Sequence, residues 1–309
     1  VTDVAAGFSV VFGVIAVGAL IGRTGVLGDD ALRVLNRFVF FVALPALVFS
    51  RVAVADWATI IAPSSAVIVA SALIVGVGTS CVARLIPGTS APGAVIAGLS
   101  SSYCNAANLG LPLAVHVLGD AGAVVPLLLF QTGFYGPLAL TLLESLTGGR
   151  GLSPRGLART ALANPVVVAA LAGGVSNAVG WRPAGPLEGV VSLLAGAAVP
   201  VALVAFGISL ATVRMLDSTA VSRRTLGVAV VGKNVVHPVV ACLLGVAVGL
   251  DGTMLLTVIV LAALPTAQNV FVYADRYGVT TALARDAAVV STVVSVPVIL
   301  TVSALLGQW

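Results

Sequence analysis

Charge is what this sequence has least of. Only 8% of its 309 residues are Asp, Glu, Lys or Arg, against roughly 25% in an average soluble domain, and 59% are hydrophobic. That scarcity excludes a soluble globular domain and implies a polytopic membrane protein. The polar interval "TGGRGLSPRGLART" (147–160) reads as a loop, not as a further domain. Three cysteines, Cys81, Cys104 and Cys242, make neither an even set nor a Cys-x-x-Cys pair, so no disulfide and no metal site is expected. The only histidines are His116 and His237, no Gly-x-Ser-x-Gly motif occurs, and no Asp or Glu falls in the middle of an apolar run. A nucleophile with its base, paired aspartates or a metal cluster cannot be assembled from that set, so neither an intramembrane enzyme nor a cofactor is expected. Positive charge is also missing ahead of the first apolar run, so no cleavable signal is expected.

What the chain does have is apolar runs near the ~20 residues a helix needs to cross ~30 Å of hydrocarbon. Ten such segments run approximately over 4–22, 31–53, 57–80, 91–117, 121–146, 160–179, 186–211, 224–249, 253–275 and 281–306. Alternating strand patterns are absent, and a backbone that must satisfy itself in lipid then favours helices over a barrel. Loops after odd-numbered segments hold Arg23, Arg33, Arg37, Arg84, Arg150, Arg155, Arg159, Arg214, Arg223, Arg224, Arg276 and Arg285. Loops after even-numbered segments hold Arg51 and Arg182, and Lys233 inside the eighth segment completes the 15 basic residues. Basic residues at span ends stay cytoplasmic, so both termini are expected outside. The net charge of +4 reflects that topology and offers no basic domain to a nucleic acid.

Five segments on each side of a basic linker place the two halves, 1–146 and 160–309, in opposite orientations, with 147–159 between them. "ALPALVF" (43–49) is echoed by "AVPVALVAF" (198–206), with Pro45 and Pro200 155 positions apart. Asn108 and Asn269 lie 161 apart, and Pro137 and Pro297 160 apart. One duplicated five-helix unit with small insertions accounts for offsets this similar, and chance alignment of prolines in apolar sequence competes with it.

Against this background "SSYCNAANLGLPLA" (101–114) and "LPTAQNVFVYADRYG" (264–278) place polar residues and helix breakers in the fourth and ninth segments. Matching interruptions in two inverted halves point to a substrate site near the midplane. Pro112 and Pro265 lack an N–H and clash with the preceding turn, so helices near them are expected to kink or unwind. A half-helix that starts there presents free N–H groups and the positive end of its dipole, which attract anions. Asn105, Asn108 and Asn269, with Gly110 and Thr266, are the candidate contacts, the amides able to hold a carboxylate without a permanent charge. The same residue types also tie neighbouring membrane helices together.

Lys233 in "VGKNVVHP" (231–238) sits roughly 13 Å inside its segment, too deep for comfortable snorkelling. A central Lys costs roughly 2.5–3.5 kcal/mol on insertion scales, so it is expected to face a polar cavity. With no carboxylate at its depth it suits a negatively charged substrate, or else donates to carbonyls of an unwound helix. His237, at i+4 on the same face, either titrates to couple protons or packs beside Pro238.

Together "LPALVF", the Asn-x-x-Asn-x-Gly-x-Pro run at 105–112, "NP" at 164–165, "VPVALVAFG" (199–207), the Lys-x-x-x-His-Pro run at 233–238 and Pro-Thr-Ala-x-Asn-x-Phe at 265–271 resemble the auxin efflux carrier family. The resemblance covers essentially the whole chain, and its most specific element is the run at 265–271. It implies an all-α fold of ten transmembrane helices in two inverted five-helix repeats, shared with bile-acid symporters and sodium/proton antiporters. In that fold the fourth and ninth helices unwind and cross beside the substrate, and a transport domain moves against a scaffold. Family members include malate and malonate permeases of bacteria and carriers of the auxin anion in plants. The implied function is a secondary transporter of a small organic anion in the bacterial plasma membrane, with crossover prolines at Pro112 and Pro265 and carboxylate contacts at Asn108 and Asn269. First-half crossovers of the family often read Gly-Asn-x-Gly, whereas two alanines follow Asn105 here. A sodium- or proton-coupled ion carrier of the same fold is the alternative, with Ser101, Ser102 and Thr266 as candidate ion contacts. A homodimer is expected by analogy with fold relatives.

Overall fold

Proline decides where the helices of this chain change character. In the computed structural model, which describes residues 2–54, 62–148, 154–212 and 223–306, the chain is helical throughout, and the one β-type contact among described residues is an isolated bridge. In chain order the helices are α1 (Thr2–Thr24), α2 (Ala31–Val52), α3 (Pro63–Arg84), α4 (Ala91–Ser102), α5 (Leu111–Val117), α6 (Ala121–Leu146) and α7 (Pro154–Leu162). They continue as α8 (Pro165–Ala178), α9 (Pro186–Gly196), α10 (Ala198–Thr212), α11 (Arg223–Ala247), α12 (Gly252–Ala263), α13 (Gln268–Arg276) and α14 (Thr281–Leu306).

Four times a π turn of five residues stands two positions ahead of a proline: Val39–Ala43 before Pro45, Ala106–Gly110 before Pro112, Gln131–Tyr135 before Pro137 and Gly232–Val236 before Pro238. In each case the residue just before the proline donates its N–H five positions back, Leu44 to Val39, Leu111 to Ala106, Gly136 to Gln131 and His237 to Gly232. A proline ring in a regular helix clashes with the carbonyl four positions earlier and leaves it without a donor. Widening the preceding turn relieves that clash, and such π bulges concentrate at functional sites.

Among the described residues six stretches are long and apolar enough to cross a membrane by themselves: Ala31–Val52, Pro63–Arg84, Ala121–Leu146, Pro186–Ser209, Arg223–Ala247 and Thr281–Leu305. Phe12–Thr24, Ala106–Val115, Pro165–Ala178 and Gly252–Ala263 are shorter apolar helices. The fourth and ninth expected segments each appear as two helices with a break between them, α4 with α5 and α12 with α13. Many large apolar side chains, including Leu171 and Val175 of α8 and Leu187 and Leu193 of α9, are exposed, which a membrane protein presents to acyl chains.

Packing divides the helices into two sets. Helix α1 lies along α10, and α2 packs on α8, α9 and α10. In the other set α3 packs on α4, α11 and α12, while α14 packs on α4, α11, α12 and α13. Short α5 reaches across to α1 and α10. The α1–α10 contact depends on two glycines: a Cβ on Gly18 would meet the Val204 carbonyl oxygen, and one on Gly207 would meet the Ile15 carbonyl oxygen and come within 2.8 Å of the Gly18 Cα. Small residues that let backbones approach are how membrane helices associate without a hydrophobic driving force.

One expectation changes here. The polar interval read as a loop contains helix α7, whose Pro154 sits in its first turn and whose Arg155 and Arg159, four apart, are exposed. Arg150, Arg214 and the start of the third expected segment lie outside the described residues.

Replacing Gly207 with Val is expected to destabilise the protein by roughly 1–3 kcal/mol or more through overpacking. A lowered melting midpoint and loss of the monodisperse peak in detergent would register it. The same change at Gly78, where a Cβ meets nothing within 4 Å, should leave both unaltered.

Candidate functional site

Two helix breaks meet to make the site. Helix α4 ends in three serines whose hydroxyls bond back to its own carbonyls, Ser100 to Ile96 at 2.8 Å and Ser101 and Ser102 both to Gly98 at 2.7 Å. Such back-bonding competes with helix continuation. Tyr103 then turns extended at φ −85°, ψ 103°. Helix α12 ends at Ala263, and Leu264 is extended at φ −55°, ψ 145°, as the residue before a proline must be. The two extended pieces pair antiparallel: the Asn105 N–H donates to the Pro265 carbonyl at 2.8 Å, and the Ala267 N–H to the Tyr103 carbonyl at 2.9 Å. The first break therefore lies at 103–105, upstream of Pro112. Pro112 belongs to the first turn of α5 and accounts for the wide turn before it.

Side chains take up the groups that the breaks release. Gln131 Nε2 donates to the Cys104 carbonyl at 2.8 Å. Thr266 Oγ1 donates to the Ser100 carbonyl, and the Thr266 N–H donates to Ser291 Oγ at 3.0 Å. Lys233, completely buried, directs Nζ at the Ala262 carbonyl (2.9 Å), His237 Nδ1 (2.9 Å) and Cys104 Sγ (3.0 Å). Ala262 stands in the last turn of α12, the negative end of that helix, which a basic group complements. Asn234, beside it, reaches α14 through the Ser291 carbonyl at 3.1 Å and Ser295 Oγ at 2.8 Å.

On one side of the crossing opens a cavity of about 580 Å³, within the ~300–1,000 Å³ of small-molecule sites. Asn105, Asn108, Gln131, Thr132, Asn164, Gln268 and Asn269 supply amides and a hydroxyl to its wall, Tyr103, Phe40 and Tyr273 supply rings, and Arg33 and Arg37 stand on it as well. Among the described residues no Asp or Glu lines it. Asn164 is held in place as the N-cap of α8, its Oδ1 accepting from the Val166 N–H at 2.9 Å, which is the work of the "NP" pair. Helix α13 starts at Gln268 with no side-chain cap. Asn105 Nδ2 and Gln131 Oε1 are buried without a partner.

The comparisons with known proteins point to membrane transport. The family described as "Membrane transport protein" matches residues 8–150 and 154–303. The chain belongs to the auxin efflux carrier family. A protein of Rhizobium meliloti (strain 1021) named "Putative malonate transporter" is 31% identical over 297 residues, 92% of this chain and 90% of its own length. A second relative, an "Uncharacterized transporter" of Methanothermobacter thermautotrophicus (strain ATCC 29096 / DSM 1053 / JCM 10044 / NBRC 100330 / Delta H), is 28% identical over 205 residues, 63% of this chain and 64% of its own length.

Among the candidates for this carrier's site, Asn105, Asn108 and Asn269 stand on the cavity wall. Gly110 lies behind it, where a Cβ would come within 2.8 Å of Leu264. Pro265 and Thr266 form the crossing itself, and Ser101, Ser102, Lys233 and His237 are buried away from the lining. Several residues of the wall escape the sequence reading, among them Gln131, Thr132, Arg33 and Arg37. Gln131 and Thr132 had a signal, a polar pair inside "LLLFQTGFYGP". Arg33 and Arg37 had none beyond their use as topology markers.

Replacing Lys233 with Met strands the Ala262 carbonyl and the His237 ring nitrogen, at roughly 1–3 kcal/mol for each buried group. The melting midpoint of ligand-free protein is therefore expected to fall. A midpoint equal to that of the unmodified protein would remove Lys233 from the support of the crossing.

Proposed function

We propose that this protein is a secondary transporter that carries a small organic anion, a carboxylate such as malonate, malate or an auxin-like acid, by alternating access at the crossed breaks. The observation that carries the reading is the wall of the cavity: amides beside the uncapped start of a half-helix, two arginines, and no carboxylate. Amide N–H groups and a positive helix end hold an anion, and a cation as the main cargo would favour carboxylates, which the described wall lacks. Malonate is the acid in the name of the Rhizobium relative. Catalysis has no part in the reading.

In this reading the chain forms ten spans as two inverted five-helix units, 1–146 and 160–309, joined by 147–159. Helix α1 with α2, α8, α9 and α10 acts as the scaffold, and α3, α4 and α11–α14 form the body that rocks against it. The carrier sits in a bacterial plasma membrane, and the arginine distribution supports an orientation with both termini outside. The carrier works as a homodimer, on the analogy of fold relatives. Sodium or a proton is the coupling ion, with Ser101, Ser102, Thr266 and His237 nearest to the crossing.

Asn108→Ala and Asn269→Ala are each expected to leave membrane insertion intact and to reduce uptake of malonate into proteoliposomes by at least about tenfold, the loss of one charge-assisted amide contact. Undiminished uptake in both variants would remove the crossing as the substrate site. Replacing sodium with choline, and separately collapsing the proton gradient, identifies the coupling ion: uptake is expected to fall under one of the two conditions.

A further inference from the structure

The cavity wall carries two arginines in different circumstances. Arg33 and Arg37 are four residues apart on α2 and share one face of it. Arg33 is engaged: its guanidinium lies 2.7 Å from Asp30, an acidic partner on the same helix turn. Arg37 makes no hydrogen bond or ion pair with any described residue, although it stands on a wall that has no acidic group to offer it.

Its position adds to this. Arg37 lies in the last turn before the wide turn Val39–Ala43, which brings Phe40 and Phe41 onto the wall. The residue before it, Asn36, has its amide nitrogen 3.5 Å from Gln268 Oε1 at the start of α13. Gln268 is in turn the neighbour of Asn269. Helix α2 thus meets the second half of the crossing within one residue of Arg37, and the uncommitted guanidinium and the amides of the break belong to the same walled space.

From this we infer that Arg37 reads a second negative charge on the substrate: one carboxylate is held by the amides at the crossing, and the other meets the Arg37 guanidinium. The inference rests on the reading of the protein as an organic-anion carrier and assigns a specificity-determining residue to it. A guanidinium suits the task because it stays charged at any physiological pH and presents a planar fork that matches a carboxylate. A monocarboxylate uses the amides alone and gains little from Arg37. Solvent at the exposed arginine weakens the contact without abolishing it.

The test compares malonate with propionate, acids of equal carbon number that differ by one carboxylate, on purified full-length protein. Apparent affinities come from thermal stabilisation, and KM values come from proteoliposome uptake. Arg37→Gln is expected to weaken malonate roughly five- to tenfold while changing propionate by less than about twofold. Arg37→Lys, which keeps the charge and loses the fork, should retain most of the preference, and Arg33→Gln should cost malonate less than Arg37→Gln does. Equal loss of both acids in Arg37→Gln, loss of neither, or unmodified protein that holds malonate no tighter than propionate would overturn the assignment of Arg37 and leave the anion carrier standing. Unmodified protein that binds neither acid would overturn both.

Discussion

Two backbone hydrogen bonds, from Asn105 to Pro265 and from Ala267 to Tyr103, are the contact on which the rest of this molecule depends. A helix interrupted within an apolar medium releases N–H and C=O groups that no water can satisfy. One interruption alone would be prohibitive. Two that meet antiparallel satisfy each other, and the remaining groups fall to Gln131, Thr266, Ser291 and Lys233. The polar residues in the middle of this apolar chain are therefore a single connected solution to one problem, drawn from α4, α6, α11, α12 and α14.

That solution also leaves the wall of the cavity polar without making it acidic. The amides at 105, 108 and 269 and the uncapped start of α13 stand on the same cavity as the two arginines of α2. Behind the crossing, Lys233 Nζ is matched to three partners, the ring of His237 among them. Polar groups thus fall into two populations separated by the extended segments, one closed on itself and one open to a ligand.

Much of this was legible in the residues. Hydropathy located the apolar helices, and Pro265 with its flanking Leu264 marked the second break, because a residue before proline cannot remain helical at low cost. The stretch 101–114 likewise holds the first break, though not at its proline. Pro112 is the conspicuous breaker, yet it only widens a turn, and the interruption sits at Tyr103, where three consecutive serines and a distant partner strand decide the matter. For Lys233 the sequence offered a carbonyl of an unwound helix and His237 on the same face, and both are partners; which carbonyl, Ala262, and the contact with Cys104 were beyond reach, because a group freed by another helix leaves no mark in composition. Arg33 and Arg37 illustrate a different blindness, since a residue that explains topology is readily taken as fully explained. Helix α7 formed in a stretch whose glycines and proline read as loop, because proline in a first turn costs nothing and the helix carries its arginines outward.

The wide turn in α2 has a consequence for how one rod meets its surroundings. One extra residue inserted into a helix swings every later side chain through ~100° about the axis. Below Val39 the helix packs on α10, and above Ala43 the same helix packs on α8 and α9. A single helix is thereby refaced partway along its length, addressing different neighbours at its two ends.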